Sequence, residues 1–158
     1  MKKVLIVLAL VALAIVPVAA KGVAAVGLEL GQPTGITFNY DIDKKWDGYA
    51  TVAFGFGPAS YINALVGGQY KVTDFQIGKA DFDVNVGLQA GALFWFGEAK
   101  GVSIAARATG AVSYDWTWKN VGDFTAYIRL GVGYGFAISD GAKGGISWSA
   151  ALGCVYHL

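Results

Sequence analysis

Cysteine and histidine are almost missing from this 158-residue chain, which has one of each, Cys154 and His157. A lone cysteine cannot close an internal disulfide, and one Cys with one His cannot supply the four ligands of a zinc site. No metal and no cofactor are expected. A basic excess is missing as well: twelve Lys and Arg stand against eleven Asp and Glu. Without a basic stripe, no nucleic-acid partner is expected. Proline is confined to Pro17, Pro33 and Pro58. After residue 20, no apolar run reaches the ~20 residues that a membrane-spanning helix needs.

The first twenty residues, "MKKVLIVLALVALAIVPVAA", form a separate object. Lys2 and Lys3 give a positive start, Val4 to Val16 an apolar run, and Val18-Ala19-Ala20 a small-residue site before Lys21. That layout predicts a secretory signal peptide, cut after Ala20. A retained helix is the rival reading, and Pro17 with the small residues after it favours cleavage. The expected organisation is a signal peptide over 1–20 and a single domain over 21–158.

All 23 glycines and every Tyr, Trp and Phe lie in that second segment. Its dominant pattern is alternation, the two-residue period of a strand with two chemically different faces. From Val102 to Trp118 the even positions read Val, Ile, Ala, Ala, Gly, Val, Tyr, Trp, Trp, and the odd positions Ser, Ala, Arg, Thr, Ala, Ser, Asp, Thr. Similar alternation runs through 36–43, 81–92, 124–136 and 146–158. Turn signals divide the segment at 31–35, 43–48, 57–60, 73–80, 97–101, 119–123 and 139–144. Seven turns imply eight strands, near 22–31, 35–43, 48–57, 60–74, 80–97, 101–119, 122–138 and 144–158. Eight strands can close a small barrel.

Residue size decides which face is inside. An eight-stranded bore is only just wide enough for side chains. The oily face carries the bulky aromatics, whereas the polar face is rich in Gly, Ala, Ser and Thr. The large residues therefore belong outside, against lipid, and the small polar ones inside. With successive turns at alternating ends, the aromatics sort into two rims. One collects Phe54, Phe56, Tyr61, Phe94, Phe96, Tyr134, Phe136 and Trp148. The other collects Tyr40, Trp46, Tyr70, Phe82, Tyr114, Trp116, Trp118, Phe124 and Tyr156. Two aromatic girdles around an aliphatic band predict an all-β, closed, eight-stranded antiparallel up-and-down transmembrane barrel.

The ending "ALGCVYHL" has apolar residues at Leu152, Cys154, Tyr156 and Leu158. It resembles the C-terminal assembly signal of bacterial outer-membrane proteins, although Leu158 departs from the aromatic last residue of that signal. Across 21–158 the chain resembles the small eight-stranded OmpA/OmpX-type barrels, with "GLELGQPTGITFNY" (Gly27–Tyr40) similar to their first hairpin. The resemblance implies the outer membrane of a Gram-negative bacterium as location, and its lipid and the barrel-assembly machinery as partners. A monomer is expected.

Within the bore, an interior polar network is expected from Glu29, Lys71, Asp83, Arg107, Asp115 and Arg129. Counting through the turns sets Arg107 near Gly91 and Gly135, whose missing side chains leave room for a guanidinium reaching an acid. On this reading Gly135→Leu impairs folding. "VGYG" (132–135) shares its letters with a potassium filter, but the chain lacks the helices to hold four such loops. "GAKGG" (141–145) lacks the ending of a phosphate loop. His157 is an inward residue near one rim, and Ser149, eight residues up the same strand, is ~26 Å away at strand spacing. No enzymatic activity is expected. The outer turns are too short for an adhesive surface. The expected role is structural, for membrane integrity, with a narrow channel for water, ions or very small solutes as the alternative and a lipid-active enzyme as a third reading.

Overall fold

The computed structural model describes residues 24–55, 59–97, 100–138 and 143–158. They form eight strands: β1 (Ala24–Gln32), β2 (Gly35–Asp41), β3 (Trp46–Gly55), β4 (Ala59–Ile77), β5 (Ala80–Gly97), β6 (Gly101–Trp118), β7 (Gly122–Ala137) and β8 (Lys143–His157). Each strand pairs antiparallel with the next, and β1 pairs with β8, so the sheet closes into a ring with no free edge. The expected signal peptide, 1–20, lies outside the described residues, as do Phe56 and parts of the turns at 57–60, 97–101 and 139–144.

The mouth where β1 begins and β8 ends is termed proximal here, and the other distal. Closure tilts the strands. Trp46, Tyr70, Val86, Gly110, Leu130, Ala150 and Gln32 form one continuous row of paired residues. Trp46 opens β3 at the proximal mouth, whereas Gln32 ends β1 at the distal mouth.

Alternation along each strand sets two faces. On β7, Tyr127, Arg129 and Gly131 are buried, while Ile128, Leu130 and Val132 between them are exposed. On β8, Ala151, Gly153 and Val155 are buried, and Leu152, Cys154 and Tyr156 are exposed. The buried face is the bore. Leu88 is 71% exposed and Ile146 82%. Most large apolar residues thus look away from the axis, while Tyr49, Leu65, Tyr127 and Val155 are buried inside.

Three details differ from the sequence expectation. The segment 73–80 is mostly strand: Thr73 to Ile77 pair with β5, leaving Gly78-Lys79 as a two-residue turn. A bulge between Lys71 and Thr73 shifts the phase there by one residue. Asp74 then shares the face of Asp83, and Phe75 that of Phe82. The turn at 43–48 is shorter than expected, because Asp43 Oδ1 accepts the amides of Lys45 (2.7 Å) and Trp46 (3.0 Å) and folds the chain locally. Tyr61 belongs with the inward set of Leu65 and Gln69 rather than with the outer rim. Its ring fills the space that a Cβ on Gly55 would take.

Candidate functional site

Half-way along the bore, side chains from opposite walls meet. Glu29 on β1 and Arg129 on β7 are 1% and 3% exposed. Arg129 Nη1 donates to Glu29 Oε2 at 3.2 Å, and the Tyr127 hydroxyl donates to the same oxygen at 2.6 Å. The guanidinium lies 3.6 Å from the centroid of the Tyr49 ring and 4.6 Å from that of Tyr127. Ring faces carry negative charge and attract the cation in a space closed to water. Tyr49 then donates to Gln89 Oε1 (3.0 Å), and Gln89 Nε2 donates to Ser149 Oγ (3.0 Å). Five strands contribute to this plug. Two aromatic rings fit the bore because Gly67 and Gly153 lie beneath them. A Cβ at Gly67 would come 2.3 Å from Tyr49 Cζ, and one at Gly153 2.1 Å from Tyr127 Cζ.

Proximal of the plug lies a cavity of about 220 Å³, bounded by Asp41, Asp47, Asp83, Asp115, Lys71 and His157 among others. Lys71 Nζ reaches Asp83 Oδ1 at 2.6 Å and Asp74 Oδ1 at 4.0 Å. The Thr125 hydroxyl donates to Asp115 Oδ1 at 2.5 Å and contacts His157 Nε2 at 2.7 Å. A search for serine near His157 misses this contact, which strand pairing supplies: Thr125 pairs with Val155, two residues from His157. The carboxylate holds the hydroxyl rather than the imidazole, so the order of a hydrolytic triad is not reproduced.

Arg107 is placed differently from the expectation. It pairs with Gln89 and Gly133, not Gly91 and Gly135. Its Nε donates to Ser147 Oγ at 2.9 Å, and it meets no carboxylate among the described residues. The crowded glycine is accordingly Gly133, where a Cβ would fall 1.9 Å from the Ala106 carbonyl oxygen. At Gly135 the nearest atom is 3.2 Å away. Of the six expected network residues, two pairs form, Glu29–Arg129 and Lys71–Asp83, while Arg107 and Asp115 bond to hydroxyls.

On the outward face, Trp46, Phe54, Phe96, Trp118, Phe136, Trp148 and Tyr156 are exposed, and Phe94, Trp116 and Phe124 half-buried. Near the proximal mouth the rings touch in series: Phe75–Phe82 at 5.3 Å, Phe82–Tyr114 at 5.3 Å, Tyr114–Trp116 at 5.9 Å, Trp116–Phe124 at 5.4 Å and Phe124–Tyr156 at 5.2 Å. Phe75, hidden from the sequence pattern by the bulge, starts the series.

These features define a ring of eight antiparallel strands with an oily exterior and a plugged polar interior. Comparison with family models, curated proteins and solved structures gave no match.

Proposed function

We propose that the chain is an integral outer-membrane barrel of the small OmpA/OmpX type, with a structural role in membrane integrity and a bore that does not conduct. The observation carrying this reading is the arrangement of the two faces, with most bulky apolar side chains exposed and the Glu29–Arg129 pair buried in the bore. In water such a belt would be an association hazard; in lipid it is the solvated surface. Spacing supports the same view. Tyr156 and Trp148 on β8, like Trp46 and Phe54 on β3, are eight residues apart. At a rise of ~3.3 Å per residue and a tilt of ~40°, that separates the girdles by about 20 Å. The apolar band of an outer-membrane barrel is about 25 Å tall.

On this reading residues 1–20 are a cleaved export signal and the proximal mouth faces the periplasm. Lipid and the assembly machinery are the partners, the chain is a monomer, and no reaction is catalysed. The plug supports the non-conducting role, since the Arg129 guanidinium is buried between the Tyr49 ring of β3 and the Tyr127 ring of β7 inside the bore. The test joins two measurements on outer-membrane fractions. Unboiled protein is expected to run faster on a gel than boiled protein, and purified protein in planar bilayers to show no stable unitary openings. Absence from the outer-membrane fraction would refute the location. Regular openings would refute the plug's role and favour the channel reading.

A further inference from the structure

The distal half of the bore carries charge of the opposite sign to the proximal half. Among the described residues, every carboxylate other than Glu29 lies on the proximal side, and Glu29 is committed to Arg129. Distal of that pair the inner face carries two cations, Arg107 on β6 and Lys143 on β8, and no described carboxylate. Arg107, Gly133 and Ser147 are neighbours in one row across β6, β7 and β8. With only a glycine between them, Arg107 Nε reaches Ser147 Oγ at 2.9 Å. Ser147 lies three residues distal of Ala150, where the pairing of β8 with β1 ends, so the guanidinium sits near the distal lip of the ring. Its two Nη groups have no hydrogen-bond partner among the described residues, yet they are not shut away as the buried Arg129 Nε is.

Two further observations are independent of that charge. The next row outward on the same face is Ala105, Gly135 and Gly145, and a Cβ on Gly145 would meet nothing within 4 Å. The wall beside the guanidinium is therefore bare, and the space in front of it is open. Facing that space from β4 and β5, Tyr61, Leu93 and Trp95 share the inner face of Leu65 and Gln89 and are half-buried. Large apolar groups are the exception on a face that is otherwise small or polar. The distal recess thus has a cationic side and an apolar side.

We propose that this distal recess binds an alkyl monocarboxylate, its head on the Arg107 Nη groups and its tail along Leu93, Trp95 and Tyr61. A guanidinium presents a planar fork of donors that matches a carboxylate. Ser147 Oγ accepts from Nε and keeps its own hydrogen to donate to the same head. One free guanidinium balances one negative charge, as Arg129 balances Glu29 deeper in the bore. An apolar wall with a few convergent polar groups is the usual make-up of a small-molecule site. The site uses only the inner face of the ring, so it goes beyond the membrane role and does not rest on it.

The test is NMR titration of the chain, refolded in uncharged detergent micelles, with decanoate, ring closure being verified by the gel shift. The Arg107 Nε–H and Trp95 indole N–H signals are expected to move together and to saturate. Acetate, which lacks the tail, is expected to bind at least about tenfold more weakly, and decyltrimethylammonium, which carries the opposite charge on the same tail, to leave the Arg107 signal in place. Read at Trp95, Arg107→Gln is expected to weaken decanoate binding at least about tenfold, the effect of losing a charged hydrogen-bonded contact. No saturable shift, or unchanged affinity in Arg107→Gln, would overturn the proposal. Equal affinity for decanoate and acetate would overturn it as well, by reducing the recess to a place where anions of any kind collect. Should Arg107→Gln fail to fold, Gly145→Phe decides: its Cβ meets no atom, its ring fills the recess, and undiminished decanoate binding would refute the site. A chain that closes its ring and binds no decanoate overturns this proposal while leaving the membrane reading intact.

Discussion

The middle of the bore and its proximal mouth are lined by the same kinds of residue, yet they hold charge in opposite ways. At mid-height Glu29 and Arg129 are buried and matched one to one, with Tyr127 completing the carboxylate and two ring faces covering the guanidinium. At the mouth, Lys71 and Asp83 make a shorter contact, 2.6 Å, but their side chains keep 33% and 28% of their exposure. Among the described residues, Asp41, Asp43, Asp47 and Asp115 around them form no ion pair with Lys or Arg. Distance alone would rank the mouth pair stronger. Dielectric surroundings reverse the ranking: a charge pair near water is worth 0.2–1 kcal/mol, whereas stripping a partner from a buried pair costs ~3–5 kcal/mol. The difference lies in what happens when one partner is lost.

The largest effect should follow from breaking the middle. Arg129→Met keeps much of the side-chain volume and removes the charge, leaving Glu29 unpaired and 1% exposed. Urea unfolding in detergent is expected to show a loss of ~3–5 kcal/mol, or failure to refold. A loss under 1 kcal/mol would mean that water already reaches Glu29.

How much of this was open to reading in the sequence depended on distance along the ring. Strand count, the two faces and the inward placement of Glu29 and Arg129 follow from a two-residue period, a local property. Partnerships do not. The plug joins Glu29 to residues 98 and 100 positions away, Tyr127 and Arg129. A two-residue error in register, as occurred between Gly133 and Gly135, moves every expected contact by one step. Tyr49 was missed because a bulky ring was expected outside. Its inward place depends on Gly67 across the ladder, a pairing that no local pattern carries. The β4 bulge hid Phe75 for a related reason, since one extra residue inverts the alternation by which faces are read.

A second prediction separates backbone crowding from charge as the reason for the bore's glycines. Gly133 pairs with Arg107, and a Cβ there would overlap the Ala106 carbonyl oxygen and lie 2.6 Å from Arg107 Cα. Those are backbone atoms of the neighbouring strand, so relief requires the ladder itself to move. Gly133→Ala is expected to cost ~1–3 kcal/mol, the usual range for overpacking. Gly135→Ala, whose new methyl meets Ile104 O at 3.2 Å and the Ala105 and Ser147 Cβ atoms at 3.3 and 3.4 Å, should cost visibly less. The two variants unfolded side by side check this, and equal losses would show that the β6–β7 ladder yields as easily at one position as at the other.

The smallest effect is expected at the mouth, and its smallness is what the contrast requires. Asp83→Asn removes the carboxylate from Lys71 while keeping the side chain's shape. Lys71 Nζ then retains Asp74 at 4.0 Å and partial exposure to water. The expected loss is 0.2–1 kcal/mol, declining further as salt is raised from 0.05 to 0.5 M because screening acts on charges that water reaches. The Arg129→Met loss should hardly change over the same range, since that pair is closed to ions. Measuring both variants at both salt concentrations gives four unfolding curves. If Asp83→Asn costs as much as Arg129→Met, or if both losses respond equally to salt, then the mouth is as dry as the middle and the proximal cavity is not open to solvent.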